Sequence, residues 1–330
     1  MLSIHAHSES WPINGSFNIS RGSKTTADVI VVEIYEQGSL MGRGEGVPYP
    51  RYEESIDTCL KSIKDISASL EKDPNRHSLL ERMEAGSARN ALDCALWDYE
   101  SKKLGKPVWE LAGLKPPKPP LTAYTISVDH PDAMSESVKR QQGMELFKLK
   151  LKGLDDLRRV QAVREASPSA RIIVDANEAW EETQLPELLP KLRLLGVELV
   201  EQPLPAGKDE FLSSLSKAVP LCADESCHTI KDIDKCLHKY EYINIKLDKA
   251  GGLTHALTMM NDAMNKQLGI MLGCMVCTSL SIAPALLLAN MAQIVDLDGP
   301  LLLAKDRQGG IQQQGSLITG PETNFWGNPN

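Results

Sequence analysis

Residues 171–203 read RIIVDANEAWEETQLPELLPKLRLLGVELVEQP: two short apolar runs, each ending near an acidic residue, enclose a segment of helical composition. Similar runs continue on both sides of this stretch. The last polar or charged residues of five successive runs are 25, 26, 23 and 22 positions apart: Lys150, Asp175, Glu201, Asp224 and Lys246. Strands that alternate with helices at this period are typical of parallel strands joined by right-handed crossovers.

Eight strand-like runs lie between residues 121 and 300, and this number predicts a closed α/β barrel of the TIM type rather than an open sheet. The runs are LTAYTISV, LFKLKLK, RIIVDAN, VELVEQP, PLCADES, YINIKLD, IMLGCMV and IVDLDGP. The carboxyl ends of such strands meet at one rim, where the catalytic groups of these barrels are found.

The N-terminal part of the chain has a different pattern. Residues 27–36 and 39–46 read as antiparallel strands joined by a turn, and residues 53–70 and 87–105 read as helices. This mixture predicts an α+β capping domain.

A linker divides the chain. Prolines at positions 116, 117, 119 and 120 make this segment the best linker in the sequence. We therefore expect a cap over residues 1–115, completed by residues 301–330, and a barrel over residues 116–300.

The composition excludes some functions. The chain has 330 residues and a net charge of −8, without a basic stripe for nucleic-acid phosphates. Its seven cysteines, an odd number, predict reduced thiols in a cytoplasmic protein. The first ten residues lack the pattern of a secretory signal.

One long uncharged stretch tests this interpretation. Residues 267–295 carry no formal charge, whereas a membrane helix needs about 20 mostly apolar residues. Polar residues and Pro284 interrupt the stretch, so we predict a buried strand followed by a core-facing helix and no membrane contact. The sequence leaves open whether the chain forms a homo-oligomer.

Three acidic residues end neighbouring strands: Asp175 in IIVDAN, Glu201 in LVEQP and Asp224 in CADES. A carboxylate at the end of an apolar strand is costly to bury unless it meets a cation. Three of them at one rim predict a hard divalent ion, and ligands that are all oxygen favour Mg²⁺. The alternative is that each acid caps the following helix or pairs with a nearby lysine.

The lysines extend this pattern. Lys148, Lys150 and Lys152 alternate and therefore point to one side of their strand. We interpret Lys152 as a solvated strand end. Lys246 lies almost opposite Lys150 across the predicted barrel. A partly desolvated lysine near a divalent cation has its ammonium form disfavoured, so this pair could remove a proton from one face of a carbon and return it from the other.

These motifs together resemble the enolase superfamily, in its muconate-lactonising branch. The similar pieces are KxK at 148–150, DAN at 175–177, EQP at 201–203, ADES at 223–226 and NIKLDKAGG at 244–252. The resemblance runs nearly end to end and implies a modified (β/α)7β barrel with an N-terminal cap. It also implies that Asp175, Glu201 and Asp224 bind Mg²⁺.

The resemblance assigns the lysines as well. It implies that Lys150 and Lys246 are the acid–base pair and that Lys148 assists near the substrate carboxylate. Mg²⁺ would stabilise the doubly negative carboxylate that forms when the α-proton leaves.

A second acidic pair, Asp296 and Asp298, alternates at the end of the eighth strand and could bind an ammonium group. This DxD resembles the dipeptide epimerases, which implies epimerisation of the C-terminal residue of a small dipeptide, with L-Ala-D/L-Glu expected, in murein peptide recycling. A turn at residues 298–300 is the alternative. Further substrate contacts are expected from the cap and the first strand: Arg21, Lys24, Arg51 and Thr125.

Other functions stay open. They are N-acylamino acid racemisation, cycloisomerisation, dehydration, and peptide binding without catalysis. An N-acylated substrate has no ammonium group for the DxD pair, and a binding protein needs neither lysine.

We interpret His5-Ala6-His7 as part of a surface strand, and Cys274 and Cys277 as small packed residues without zinc or redox chemistry.

Overall fold

The N-terminal sheet forms one side of the cap. In the computed structural model, which describes residues 1–329, it contains antiparallel strands in the order β1 (Leu2–Ile19), β2 (Gly22–Glu36) and β3 (Ser39–Gly46). The predicted strands over 27–36 and 39–46 are confirmed. Strand β2 begins earlier because its polar start pairs with β1 outside the core, where no apolar pattern marks it.

Four helices complete the cap, and they include both predicted ones. They are α1 (Ile56–Leu70), α2 (Arg76–Arg82), α3 (Ser87–Leu104) and α4 (Val108–Leu111). Helix α3 ends at Gly105, whose left-handed φ of 66° suits a residue without a side chain.

Strand β3 and helix α3 approach each other closely at three alternate glycines, Gly42, Gly44 and Gly46. A Cβ atom at these positions would lie 2.3, 2.1 and 2.2 Å from backbone oxygens of α3. These positions therefore accept no side chain unless the helix moves.

Gly44→Ala is expected to lower the free energy of unfolding by about 3 kcal/mol, because the added methyl group displaces α3 from a close-packed contact. Thermal or urea denaturation measures the change. Gly320→Ala is the matched control, since an added Cβ there meets no atom within 4 Å. Equal unfolding midpoints for the two variants would show that α3 can move without cost.

Eight parallel strands form the barrel, and all eight predicted runs are confirmed. In sequence order, and also in sheet order, they are β4 (Tyr124–Ile126), β5 (Leu146–Lys150), β6 (Arg171–Asp175), β7 (Val197–Glu201), β8 (Leu221–Ala223), β9 (Tyr242–Ile245), β10 (Gly269–Gly273) and β11 (Ile294–Asp296). Ala123 N donates to Val295 O at 2.8 Å and joins the first strand's segment to the last strand. This hydrogen bond closes the sheet.

Helices occupy all but one of the crossovers. They are α5 (Pro131–Arg140), α6 (Asp156–Ala166), α7 (Leu185–Leu194), α8 (Ile230–Cys236), the single turn α9 (Leu247–Ala250), α10 (Leu253–Asn265) and α11 (Ser279–Leu286). The crossover from β7 to β8 has only a 3-10 turn at Glu210–Ser213. Pro205 and Gly207 interrupt this short segment and leave little room for a longer helix.

The residues after the barrel return to the cap. They form the hairpin β12 (Gln312–Gln314) and β13 (Leu317–Thr319). Further on, Trp326 Nε1 donates to Arg43 O at 2.9 Å, and Gly327 N donates to Asp98 Oδ1 at 2.8 Å. The domain boundaries proposed from the sequence stay a prediction, as does self-association.

The long uncharged stretch forms β10, α11 and the segment leading to β11, and helix α11 is buried along its whole length. Within residues 1–329, none of the helices combines the length and the apolar character that crossing a bilayer requires. The prediction of a buried strand followed by a core helix is confirmed.

All seven cysteines are free thiols.

Candidate active site

The register of the parallel strands brings the predicted residues to one rim. Lys150 lies beside Asp175 in the β5–β6 pair, and Asp175 lies beside Glu201 in the β6–β7 pair. Asp224 and Lys246 each follow directly after the end of their strand, β8 and β9. The sequence predicts this arrangement correctly because parallel strands share the direction of their carboxyl ends.

Both predicted acid–base lysines line the same cavity, which has a volume of about 490 Å³. Lys150 Nζ lies 2.6 Å from Asp175 Oδ2, and Lys246 Nζ lies 2.7 Å from Asp224 Oδ2. Three strands separate β5 from β9 in the closed sheet of eight, so the two lysines approach from opposite sides.

Lys148 is a buried cation among three carboxylates. Its Nζ lies 2.6 Å from Glu201 Oε2, 2.8 Å from Asp296 Oδ2 and 3.4 Å from Asp175 Oδ2. Lys152, in contrast, is exposed, as predicted. The carboxylates of β6, β7 and β11 thus converge on one point of positive charge.

Burial and neighbouring charges act differently on the acids. Burial opposes the ionisation of Asp175, but Lys150 and Lys148 outweigh it and lower its pKa to about 2. Burial and repulsion from Asp175 raise the pKa of Glu201 to about 7. Of these two acids, Glu201 is therefore the one whose negative charge the neighbouring lysines compensate less.

The expectation that a nearby divalent cation disfavours the ammonium form of the lysines stays a prediction, and the protein's own carboxylates act in the opposite direction. Burial lowers the pKa of Lys246, as expected, but Asp224 and Glu201 outweigh burial, so that its pKa lies above the ordinary value. The nearby carboxylates also hold the pKa of Lys148 well above its usual range against the effect of burial. The carboxylates that could hold a metal thus stabilise the ammonium forms of Lys148 and Lys246 in the protein alone.

The donor set fits a hard divalent cation in its chemistry. Carboxylates outnumber ammonium groups among these buried side chains: Asp175, Glu201, Asp224, Asp296 and Asp298 against Lys148, Lys150, Lys246 and Lys249. Glu201 Oε2 forms an ion pair with Lys148, and Glu201 Oε1 accepts a hydrogen bond from Asn244 Nδ2 at 2.7 Å. Carboxylate oxygens of this kind are ligands that Mg²⁺ prefers.

The same side chains now pair with lysines, which is one of the alternatives that the sequence left open. In residues 1–329, no three His, Cys, Asp or Glu side chains are gathered as a complete metal site. Asp175, Glu201 and Asp224 each face a lysine ammonium group instead. Metal binding by these three acids therefore stays a proposal.

The DxD pair also lines the cavity. Asp298 Oδ2 accepts a hydrogen bond from Thr125 N at 2.6 Å, and burial together with Asp296 raises the pKa of Asp298 to about 7. Asp296 Oδ1 is buried without a partner. A 3-10 turn does follow at Gly299–Leu302, but the Asp298 side chain does not cap it.

Two cap segments cover the mouth of the barrel. Arg21 bridges Glu225 at 2.7 Å and Glu178 at 2.9 Å, and Arg51 bonds both carboxylate oxygens of Glu178. Lys24 lines the cavity with its Nζ 5.1 Å from the centre of the Tyr49 ring. Among the described residues, Lys24 has no carboxylate partner.

Several residues at the site were not predicted. Asn177 N donates to Asp175 Oδ1 at 2.8 Å, and Lys249 Nζ donates to Asp224 Oδ1 at 2.6 Å. Glu178 and Glu225 hold the cap arginines. All of them stand within three residues of a predicted site residue, and that proximity is the signal that could have found them.

Of the two motifs that we set aside, the histidines lie away from this cavity and one cysteine lines it. His5 and His7 lie on β1 outside the core, which confirms the surface strand, and His7 contacts Glu9. Cys277 is buried, while Cys274 contributes to the cavity wall.

A capped parallel barrel with carboxylates and lysines opposed at the carboxyl ends of its strands defines an enolase-type protein. Residues 1–113 match the family "Mandelate racemase / muconate lactonizing enzyme, N-terminal domain", and residues 133–300 match "Enolase C-terminal domain-like". The chain belongs to the enolase superfamily, in the mandelate racemase and muconate lactonizing enzyme family.

Two curated relatives match most of the chain. The L-Ala-D/L-Glu epimerase of Escherichia coli strain K12 is 42% identical over 314 residues, which cover 94% of this chain and 98% of that protein. An N-acetyl-D-glutamate racemase of Pseudoalteromonas sp is 43% identical over 300 residues, which cover 90% of this chain and 95% of that protein.

Solved structures agree with the fold. One is an enolase family member from Agrobacterium tumefaciens with homology to dipeptide epimerases, solved with bound sodium and L-Ala-L-Glu. Its TM-score is 0.96 and its sequence identity is 44%, and the match covers 99% of this chain and 100% of that chain. Another is a dipeptide epimerase from Cytophaga hutchinsonii, complexed with Mg and D-Ala-L-Val. Its TM-score is 0.90 and its sequence identity is 26%, and the match covers 98% of this chain and 94% of that chain.

Proposed function

We propose that this protein is a Mg²⁺-dependent isomerase that epimerises the α-carbon of the C-terminal residue of a dipeptide, with L-Ala-D/L-Glu as the substrate. The observation that carries the proposal is the placement of Lys150 and Lys246 on opposite strands of one cavity that also contains Asp296 and Asp298. Three of the relatives named above are named for a dipeptide substrate or were solved with a dipeptide bound.

In this proposal Asp175, Glu201 and Asp224 would hold Mg²⁺, which could then act on the substrate carboxylate. When bound, Mg²⁺ supplies Lewis-acid stabilisation of negative charge on that carboxylate and offsets the acids that now raise the pKa of Lys246. The charge excess of the buried carboxylates and the oxygen-only donor set support this assignment.

The two lysines exchange the proton. One lysine, in its neutral form, accepts the α-proton, so that a C–H bond breaks, an N–H bond forms and the electron pair moves into the substrate carboxylate group. The opposite lysine, in its ammonium form, donates a proton to the other face of the same carbon. The configuration inverts because the two groups stand on opposite sides.

The remaining residues orient the substrate. Asp296 and Asp298 would accept hydrogen bonds from the free ammonium group of the dipeptide, which marks its N-terminal end. Lys148 would lie near the substrate carboxylate, and Thr125 would hold Asp298 in place. Lys24 is the best candidate for the glutamate side chain, because Arg21 and Arg51 already pair with carboxylates of the barrel.

Substrate labelling tests the function directly. Incubation with L-Ala-L-Glu and Mg²⁺ in D₂O should place deuterium at the glutamate α-carbon and produce L-Ala-D-Glu. N-Acetyl-D-glutamate is the competing substrate, because one relative bears that name. Labelling of the N-acetylated compound, with no label in the dipeptide, would replace our proposal by an N-acylamino acid racemase.

Asp298→Asn should raise KM for L-Ala-L-Glu by about 10- to 100-fold, because it removes a charge-assisted hydrogen bond to the substrate ammonium group. Steady-state kinetics followed by polarimetry measures this change. Asp132→Asn, at the exposed start of α5, is the control. An unchanged KM in the Asp298 variant would mean that the ammonium group binds elsewhere.

Lys24→Met should raise KM for L-Ala-L-Glu about tenfold through loss of an ion pair, while L-Ala-L-Gln keeps its KM. The neutral dipeptide is the internal control, since it has the same shape without the charge. If both substrates lose affinity equally, Lys24 shapes the cavity and does not recognise the carboxylate.

The biological setting is part of the proposal. A substrate that combines L-Ala with D- or L-Glu is chemically a fragment of murein peptide, which supports a role in recycling cell-wall peptides. The seven free cysteines favour a reducing compartment, and we propose the cytoplasm.

A further inference from the structure

Lys249 is a buried lysine to which the proposed reaction assigns no role. It lies in α9, three residues after Lys246, and its side chain is 1% exposed. Its Nζ donates to four oxygens: Asp224 Oδ1 and O, both at 2.6 Å, Cys227 O at 2.8 Å and Asn244 O at 2.9 Å. An ammonium group has three N–H donors, so these oxygens leave none for a substrate.

Lys249 and Lys246 hold the two oxygens of one carboxylate from different sides. Lys246 Nζ contacts Asp224 Oδ2 at 2.7 Å and lines the cavity. Lys249 contacts Oδ1 and is absent from the cavity wall. Lys246 is therefore free to turn toward a substrate, whereas Lys249 is fixed behind the carboxylate.

The contacts of Lys249 also join two parts of the backbone. Asp224 and Cys227 belong to the turn after β8, and Asn244 belongs to β9. A single ammonium group thus connects the turn that carries Asp224 to the neighbouring strand. This connection fixes both the position of the turn and the rotation of the Asp224 side chain.

We propose that Lys249 is a positioning residue that holds Asp224 Oδ1, so that Oδ2 is presented to the divalent cation in the cavity. The proposal rests on the proposed function, in which Asp224 is a metal ligand. Side chains that orient metal ligands in this way typically contribute 10- to 100-fold, roughly, to metal affinity. Lys246, in contrast, competes with the cation for Asp224 Oδ2. Removal of the Lys246 side chain should therefore not weaken metal binding.

The binding of Mn²⁺, used as a probe for Mg²⁺, separates the two lysines without relying on activity. The full chain is titrated with Mn²⁺ while electron paramagnetic resonance records the free ion. K249M should weaken Mn²⁺ binding by about 10- to 100-fold. K246M also removes an ammonium group from Asp224 but should bind Mn²⁺ at least as tightly as the unmodified protein, and K249R should recover most of the affinity.

The outcomes distinguish the assignment from the proposed function. Equal Mn²⁺ affinity in K249M and the unmodified protein, or equal losses in K249M and K246M, would overturn the role of Lys249. Absence of Mn²⁺ binding by the unmodified protein would instead contradict the metal centre. Near-ultraviolet circular dichroism checks folding. If K249M does not fold, K249Q, which keeps two N–H donors without the charge, takes its place with the same expected weakening.

Discussion

Lys150→Ala and Lys246→Ala should each abolish the net conversion of L-Ala-L-Glu to L-Ala-D-Glu. Inversion needs one group to remove the proton and another, on the opposite face, to return it, so the loss of either lysine interrupts the same reaction. Positioned acid–base groups contribute about 10² to 10⁴ in rate, and we expect a loss of at least about 10³-fold. Polarimetry of the isolated dipeptide measures it.

Lys152→Ala is the matched control for these variants. Lys152 continues the same alternating run as Lys148 and Lys150, but its side chain is exposed. It should therefore retain the activity of the unmodified protein. Retention of net epimerisation by both single variants, Lys150→Ala and Lys246→Ala, would show that the two-lysine assignment is wrong.

Glu201→Gln should cause a loss of similar size by weakening the metal centre. Glu201 is buried between Asp175 and Lys148, and burial together with repulsion from Asp175 raises its pKa to about 7. Its carboxylate provides charge that an amide does not. Metal ions contribute several kcal/mol to the stabilisation of developing charge, which corresponds to roughly 10³-fold or more in rate.

The metal dependence is measured in two ways. Treatment of the unmodified protein with EDTA should remove activity, and added Mg²⁺ should restore it. In Glu201→Gln, Mg²⁺ at high concentration should restore activity only in part. Glu198→Gln, on the same strand but exposed and paired with Arg171, is the control and should behave like the unmodified protein. Full activity in EDTA would contradict a metal-dependent reaction.

The barrel and its rim could be predicted because they depend on local patterns. Apolar runs that end in Asp175, Glu201 and Asp224 identify strands and give their direction, and parallel pairing then places the ends side by side. The predicted positions of Lys150 and Lys246 on opposite sides follow from the strand order alone. No contact between distant side chains was needed for these predictions.

The partners of the charged residues could not be predicted in this way. Arg21 meets Glu225 across 204 positions of sequence, and Lys148 meets Asp296 across 148. Such pairs depend on side-chain rotation and on the docking of the cap, which strand and helix patterns do not encode. The same reason explains why Lys249, although part of the quoted motif NIKLDKAGG, received no role from the sequence.

The raised pKa of Lys246 in the protein alone has a related cause. Burial alone would lower its pKa, and burial is what an apolar strand predicts. The opposing effect of Asp224 depends on a contact of 2.7 Å between side chains of neighbouring strands. Its size is therefore a property of the folded site and not of the local sequence.

The central claim is that two lysines face one α-carbon from opposite sides. It is tested most directly by hydrogen exchange at that carbon in the single variants, using L-Ala-L-Glu and L-Ala-D-Glu separately in D₂O with Mg²⁺. We predict that Lys150→Ala and Lys246→Ala each exchange the α-proton of one diastereomer only, and that the two variants differ in which one. Exchange of the same diastereomer by both variants, or of both diastereomers by either, would contradict the account.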